Sequence, residues 1–203
     1  MRGNSATLPA WQTKINMHKL TLVFLLIGFT KGLAAKSEFA PTDWPNWRGL
    51  TSDGQALLVD GLPTEWNETK NIVWKTPIPG RGHSTPTVVG ERIYLATADE
   101  DEMFQAVLCI DKANGKVVWQ TKVHEGQFAI GLNKNASHAG TAVVHDGERL
   151  FVNFVIGNQA FATALGLDGK VLWQKPIGKY RVHQGYGSSP MVYRDIVVVK
   201  ADT

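Results

Sequence analysis

Three histidines stand at comparable places along this chain, each in a stretch of small and polar residues that precedes an apolar run. They are His83, His138 and His183. An imidazole can bind a metal ion, exchange a proton near neutral pH or hydrogen-bond a ligand. Tyr186 adds a phenol after the third histidine, and three amide side chains lie near these histidines in the sequence, Asn133, Asn135 and Gln184. If the segments converge, they form a polar site suited to a small ligand or ion.

Metal binding is the weaker form of this hypothesis. Zinc holds nitrogen ligands at about 2.0–2.1 Å, and equivalent positions on successive repeat units lie too far apart for three histidines to share one ion. The competing interpretation is that these are loop histidines which hydrogen-bond the backbone of glycine-rich turns. We therefore assign no metal ligand, no catalytic residue and no cofactor-binding residue from the sequence.

A long connection between two apolar runs is a second candidate. It extends from His124 to Ser137 and carries Phe128, Ile130 and Leu132 among glycines. Loops of this length inside a compact repeat are often binding loops. The same apolar side chains could equally cover the end of a sheet, and the sequence leaves both interpretations open.

The elements that would position these residues recur along the chain. The segment GKVVWQT at 115–121 returns as GKVLWQK at 169–175, and GERIYL at 90–95 returns as GERLFV at 147–152. Two motifs that recur in the same order indicate a repeat architecture, in which each unit packs on its neighbours.

Each repeat unit has the period-two pattern of a β-meander. We predict strands at 84–89, 92–98, 104–110 and 116–123 in one unit, and at 139–145, 149–155, 159–165 and 170–177 in the next. A third unit begins at 188–192 and 196–200, and 71–76 with Trp74 is predicted to be the last strand of a preceding unit.

Tandem four-stranded units predict an all-β fold made of β-propeller blades, with about two full blades and parts of two others. Because a propeller closes with roughly four to eight blades, we expect the chain to be a truncated propeller that is poorly stable alone. The histidines precede the innermost strands, so His83, His138, His183 and Tyr186 are expected near the mouth of the central channel.

The blade endings carry a recognisable pattern. Residues 109–119, CIDKANGKVVW, resemble the tryptophan-docking repeat of the PQQ-like β-propeller proteins, Ala-x-Asp-x-x-Thr-Gly-Lys-x-x-Trp. The second copy, at 164–173, is one residue shorter and has Gly166 where the repeat has aspartate. Residues 43–49, DWPNWRG, are similar to the opening of exported PQQ-like proteins of planctomycete-type bacteria.

The resemblance implies structural roles for several residues. In the family, the tryptophan of the outer strand stacks between blades over a glycine turn. The positions that match are Trp74, Trp119 and Trp173 with the turn glycines Gly115 and Gly169. Asp111 is expected to accept hydrogen bonds from the backbone of Asn114 and Gly115, where glycine permits a positive φ.

The resemblance is specific for architecture and unspecific for activity. We expect a non-catalytic binding or scaffold module whose partner is a protein, a glycan or a small ligand. The alternative is a quinoprotein dehydrogenase, which in the family needs PQQ, a calcium ion, a catalytic aspartate and often a pair of adjacent cysteines. This chain has one cysteine, Cys109, expected to be a buried small hydrophobe, so PQQ is expected only in longer members. The outer-membrane assembly scaffold itself is disfavoured because no cysteine lies near residue 35.

The N-terminal part predicts export. Translation is expected to begin at Met17, followed by a basic start, an apolar run from Leu20 to Phe29 and small residues at 32–35. The domain prediction is a disordered start and signal peptide at 1–35, an irregular Trp-rich segment at 36–70 and the partial propeller at 71–203. The protein would be periplasmic or secreted, or membrane-anchored if the signal stays uncleaved.

Net charge argues against a nucleic-acid partner. The full chain carries 21 basic and 18 acidic side chains, but the first 35 residues hold four of the basic ones and no acid. The remainder therefore has 17 basic and 18 acidic side chains, and it lacks the positive excess that nucleic-acid binding requires.

Overall fold

Ten strands build the part of the chain that the computed structural model describes, residues 38–57, 61–181 and 183–200. They are β1 (Thr87–Val89), β2 (Arg92–Asp99), β3 (Phe104–Asp111), β4 (Val117–Glu125), β5 (Val144–His145), β6 (Arg149–Ile156), β7 (Gln159–Gly166), β8 (Val171–Lys179), β9 (Met191–Tyr193) and β10 (Ile196–Val198). The predicted start codon and signal peptide lie outside the described residues. No helix in the described part could cross a membrane.

The strands form two antiparallel four-stranded sheets and a hairpin. Blade 1 has the order β1-β2-β3-β4, blade 2 has the order β5-β6-β7-β8, and β9 pairs with β10. Every four-stranded sheet is a simple meander, as in a blade of a β-propeller. The prediction of an all-β fold made of four-stranded antiparallel blades is confirmed.

The hydrophobic core lies between the two blades. From blade 1 it takes Tyr94, Ala96, Ala98, Val107 and Cys109, and from the blade 2 side it takes Phe128, Ala139, Val143, Leu150, Val152, Phe154 and Leu165. Cys109 is 1% exposed, as expected of a buried hydrophobe, and burial raises the pKa of its thiol to about 11. The outer strands β4 and β8 are largely exposed, so most of the apolar burial comes from the inner three strands of each blade.

One side-chain row repeats in both blades. In blade 1 the register places Tyr94, Cys109 and Trp119 side by side across three strands, and the two rings are 6.1 Å apart. In blade 2 Phe151, Ala164 and Trp173 occupy the same row, with rings 6.0 Å apart. A small residue on the third strand thus leaves room for the outer indole to reach the second strand.

The innermost strands are shorter than the sequence predicted. β1 covers three residues rather than 84–89, and β5 covers two rather than 139–145. Side-chain hydroxyls take the place of ladder bonds here: the Ala96 amide donates to Ser84 Oγ at 3.2 Å, and Thr141 Oγ1 donates to the Asn153 carbonyl at 2.7 Å. Such local side-chain bonds compete with backbone pairing.

The prediction of a strand at 71–76 is wrong. The segment has no strand pairing among the described residues, and Val73 is 87% exposed. A strand needs a backbone ladder, whereas this segment is held to blade 1 by the side chains of Trp74 and Thr76.

The N-terminal segment crosses the inner edges of both blades. We name residues 43–46 the inner strap. Trp44 and Val88 of β1 exchange backbone hydrogen bonds at 2.6 and 3.0 Å, and the His145 amide of β5 donates to the Pro45 carbonyl at 2.9 Å. Buried Asp43 accepts a bond from the Gly90 amide at 2.9 Å. The strap therefore covers the free edges of the innermost strands.

Candidate ligand-binding face

The meander puts alternate connections at opposite ends of the blades. The β2–β3, β4–β5, β6–β7 and β8–β9 connections share one end, because the first residue of β3 pairs with the last residue of both β2 and β4. We call this end the loop face. The β1–β2, β3–β4 and β5–β6 turns lie at the other end together with the β7–β8 turn, which we call the docking face.

Two of the predicted ligand contacts meet in one cavity on the loop face. The inner cavity has a volume of about 230 Å³. It is lined by His83 and Tyr186 together with two of the predicted amide residues, Asn135 and Gln184. The Tyr186 hydroxyl donates to the Lys200 carbonyl, which fixes the ring at the wall of this cavity.

The structure places His138 and His183 elsewhere. His138 stacks on Phe128 with ring centroids 4.3 Å apart, and its burial lowers the pKa of the imidazole. His183 is exposed, and it meets the long connection through its backbone, whose carbonyl accepts a bond from the Asn133 amide at 2.8 Å. Neither histidine lines the inner cavity, but His138 and Tyr186 both line a second, smaller cavity.

The long β4–β5 connection both packs and exposes apolar side chains. Phe128 is 8% exposed and belongs to the core, while Ile130 is 85% exposed. The Arg81 guanidinium donates to the carbonyls of Lys134 and Ala136, and it anchors the end of the connection nearest the inner strand. The two interpretations left open by the sequence therefore apply to different residues of the same loop.

A larger cavity lies where three connections meet at the end of blade 2. The blade-end cavity has a volume of about 670 Å³. It is lined by the start of the long connection, by the β6–β7 turn and by the end of β8: Gln127, Phe128, Ala129, Ile130, Gly157, Asn158, Lys179, Tyr180 and Arg181. The lining contains two cationic side chains and no acidic one.

Both cations of the blade-end cavity are available to a ligand. Lys179 and Arg181 are exposed, and neither takes part in an ion pair within the described part of the chain. Nothing in the sequence singles out these residues, because two surface cations near the end of a strand resemble any solvated pair. Only the fold shows that they share a cavity with Gln127 and Asn158.

The buried side-chain amide of Gln105, which the sequence did not indicate, ties the β4–β5 connection to both blades. Gln105 is fully buried, and its Nε2 donates to the His138 carbonyl at 2.7 Å and to the Val155 carbonyl at 3.0 Å. A polar residue next to the apolar run at 106–110 of β3 was the available signal. Its position next to His124 in the register with β4 places this amide directly beneath the loop face.

On the docking face, tryptophans join consecutive units. Trp74 Nε1 donates to the Lys112 carbonyl at 2.9 Å, and Trp119 Nε1 donates to the Leu167 carbonyl at 3.0 Å. The threonine two residues after each tryptophan donates to a glycine carbonyl, Thr76 to Gly115 and Thr121 to Gly169. Trp173 is half-buried against Phe151. The pair of contacts made by a tryptophan and the threonine two residues later thus occurs twice along the chain.

The turns beneath these indoles depend on glycine. Gly115 has φ +72° and Gly169 has φ +84°, and a Cβ on Gly169 would lie 2.8 Å from the Trp119 ring. The Asp111 carboxylate accepts bonds from the amides of Ala113 and Asn114, at 3.0 and 3.2 Å. This is one residue earlier than expected, since the Gly115 amide donates instead to the Asp111 backbone carbonyl at 2.8 Å.

The repeated blades and their tryptophan contacts agree with the comparison to known families. The family model for outer membrane protein assembly factor BamB matches residues 33–202. The chain belongs to this family of PQQ-like repeat proteins. No curated protein matches the chain.

The described residues contain neither the cysteine pair nor the calcium ligands that the resemblance implies for the PQQ-dependent dehydrogenases. The quinone-binding set expected of the dehydrogenases pairs adjacent cysteines with calcium ligands. Cys109 is buried in the core, and no group of three or more His, Cys, Asp or Glu side chains suited to a metal ion lies within the described ranges. We therefore derive no reaction step through the quinone.

Proposed function

We propose that this chain is a non-catalytic binding module that takes its ligand on the loop face of a PQQ-like propeller in the periplasm or outside the cell. The observation that carries the proposal is the blade-end cavity. Its volume of about 670 Å³ lies within the range of roughly 300–1,000 Å³ typical of ligand sites. Its lining combines apolar side chains with a few polar groups, as such sites generally do.

The docking face and the loop face carry different kinds of side-chain contact, and this difference supports the proposal. The docking face is occupied by contacts between units, because the indoles of Trp74 and Trp119 and the hydroxyls of Thr76 and Thr121 bind turn carbonyls there. On the loop face the cations of the blade-end cavity and the side chain of Ile130 point outward from the packed core. The loop face therefore offers a ligand exposed side chains that are not used in contacts between units.

The family description supports a scaffold form of the same proposal. The matching family is named for assembly of outer membrane proteins, which is a role carried out by binding. Export of this chain, as its N-terminal sequence predicts, would place it in the periplasm or outside the cell. Fractionation of cells that express the full chain should then recover it outside the cytoplasm.

Binding through the loop face can be tested with the labelled full chain on an array of glycans and peptides. We expect binding that Ile130→Asp on the loop face removes and that Val118→Asp on the exposed surface of β4 retains. Both substitutions place a charge at an exposed apolar position. Equal binding by the two variants would contradict a loop-face site.

The enzyme alternative is tested on the same preparation. Purified protein is mixed with PQQ and calcium, and dye-linked oxidation of alcohols and sugars is recorded. We expect no turnover above the rate without protein. Protein-dependent dye reduction would overturn the proposal and favour the quinoprotein dehydrogenase.

A further inference from the structure

We propose that the blade-end cavity binds an acidic saccharide through the carboxylate of a uronic acid. This inference rests on the proposed function and names the class of ligand for the same site. It depends on four properties of the cavity: its charge, its free side-chain amides, its apolar wall and the backbone hydrogen bonds along part of that wall.

The positive charge of the blade-end cavity favours an anionic ligand. Lys179 and Arg181 both line the cavity, no acidic side chain lines it, and neither cation has an ion-pair partner within the described residues. Charge-assisted hydrogen bonds from lysine or arginine to a carboxylate are shorter and roughly twice as strong as neutral ones. Arginine in addition presents a planar pair of donors that matches the two oxygens of a carboxylate.

The remaining polar groups suit hydroxyls. Gln127 and Asn158 line the cavity from two different connections, and both side chains are exposed. Neither side-chain amide has a hydrogen-bond partner in the part of the chain that the structure describes. A primary amide both donates and accepts, so the pair can bond the hydroxyl groups of a sugar on either side of the carboxylate.

An apolar wall completes the cavity. Ile130 is 85% exposed at its rim, and the Tyr180 ring packs edge-on against Tyr186 with centroids 4.9 Å apart. A sugar ring presents an apolar face of C–H groups to such a wall. A small inorganic anion would use the cations but leave most of the volume of about 670 Å³ unfilled.

Backbone pairing disfavours an added peptide strand. The Gly157 amide donates to the Gln127 carbonyl at 3.3 Å, and the Tyr180 amide donates to the Asn158 carbonyl at 2.9 Å. These bonds use the amides of Gly157 and Tyr180 and the carbonyls of Gln127 and Asn158. Strand addition requires an unpaired edge, whereas side-chain recognition of a saccharide does not.

The test is calorimetric titration of the full chain with trigalacturonate, with maltotriose as the neutral saccharide of equal length. We expect trigalacturonate to bind, maltotriose to bind at least about tenfold more weakly, and the acidic saccharide to lose affinity as sodium chloride rises from about 50 to 500 mM. The double variant Lys179→Gln/Arg181→Gln should weaken trigalacturonate binding by about tenfold or more.

The matched control is Lys116→Gln/Lys175→Gln. It removes two exposed cations that line no part of the cavity, so the net charge changes by the same amount. Its affinity for trigalacturonate should stay within about twofold of the unmodified chain if the effect is local rather than a general field effect. Equal losses of trigalacturonate affinity in the two double variants would contradict a binding site in the blade-end cavity.

Failure of this inference differs from failure of the proposed function. If trigalacturonate does not bind while the array shows a ligand whose binding depends on Ile130, the assignment of a uronate ligand is wrong and the proposed loop-face site is retained. If an acidic peptide of three glutamates binds more tightly than trigalacturonate, the cavity recognises peptides instead. Dye reduction with PQQ would overturn the binding module itself.

Discussion

At the scale of the residue, Trp119 joins two blades with one side chain. Its ring lies 6.1 Å from the Tyr94 ring within blade 1, and its Nε1 reaches the Leu167 carbonyl in a turn of blade 2. The indole is only half-buried and packs against the inter-blade core. A single substitution here removes both a within-blade contact and a contact between blades.

We expect Trp119→Ala to lower the free energy of unfolding by about 3 kcal/mol, near the lower end for large-to-small aromatic changes because the ring is partly exposed. Trp66→Ala is the control, since that indole is 67% exposed, and we expect a change of about 0.5 kcal/mol or less. Urea unfolding of both variants measures the difference. Equal midpoints would contradict a structural role for Trp119.

His124 gives the blades a dependence on pH. Burial lowers the pKa of its imidazole from 6.5 to about 4. Its ring lies 5.0 Å from the Phe161 ring and 6.0 Å from the Phe154 ring. In the unfolded chain the same imidazole would titrate near its ordinary value.

Between pH 6.5 and about 4 the unfolded state therefore binds more protons at His124 than the folded state. Stability falls as the pH is lowered through this window and is unaffected by His124 above it. We expect His124→Gln to flatten the plot of unfolding free energy against pH over this range. An unchanged slope would show that His138 and His145, whose pKa values burial also lowers, account for the effect.

Among the elements, the turn between the third and fourth strands of a blade is capped by a differently placed carboxylate in each blade. In blade 1 the Asp111 carboxylate caps the turn amides of Ala113 and Asn114. In blade 2 Gly166 occupies the aspartate position, and a Cβ there would lie 2.7 Å from Asp168 Oδ1. That oxygen instead accepts a bond from the Lys170 amide at 3.1 Å. The shorter turn keeps a capping carboxylate by moving it two residues along the chain.

Gly169→Ala tests the close approach between this turn and the preceding blade. The new Cβ would meet the Trp119 ring at 2.8 Å and Thr121 Oγ1 at 2.9 Å, in addition to straining a residue at φ +84°. Gly157→Ala is the matched control, since φ is +56° there and the space above it is open. We expect Gly169→Ala to cost about 1–3 kcal/mol more than the control, the range of an overpacked contact.

Thermal unfolding compares the two glycine variants. Melting temperatures that fall equally would show that only backbone strain matters and that the indole moves aside. A larger fall for Gly169→Ala, accompanied by a change in tryptophan fluorescence, is the expected result.

In the molecule as a whole, two sets of contacts connect the blades, one at the outer strand β4 and one at the innermost strands β1 and β5. The outer set is made by Trp119 and Thr121 on the docking face, and the inner set is made by the strap of residues 43–46. Between them lies the apolar core shared by the two sheets. The strap also covers the edges of β1 and β5, and an uncovered edge invites pairing with another chain.

Hydrogen exchange of the double variant Asp43→Ala/Trp44→Ala tests the strap. The amides of Val88 and His145 donate to strap carbonyls, so we expect their exchange to accelerate by about tenfold or more as the segment opens locally. Amides of the central ladder, at Val107 and Leu150, should keep their rates. Trp47→Ala is the control because that indole is 54% exposed, and a similar acceleration in it would contradict the role of Asp43 and Trp44.

The strands of the two blades can be read from the amino-acid sequence. Alternation with period two, the doubled tryptophan segments and the glycines that punctuate them are local signals, because each arises from a few neighbouring residues. They placed β2, β3, β6 and β7 within about a residue or two. They failed at the short inner strands and at 71–76, where side chains such as those of Ser84 and Trp74 replace backbone pairing. Export and the signal peptide remain predictions from the sequence.

The residues that meet on the loop face follow from the packing of the blades and not from the sequence pattern. This packing brought His83 and Tyr186 to the inner cavity and placed His138 and His183 outside that cavity. It also assembled the blade-end cavity from connections that are far apart in sequence, so that Gln127, Asn158 and Lys179 became neighbours. The physical reason is that strand period depends on local geometry, whereas a cavity depends on how packed blades place their loops relative to one another.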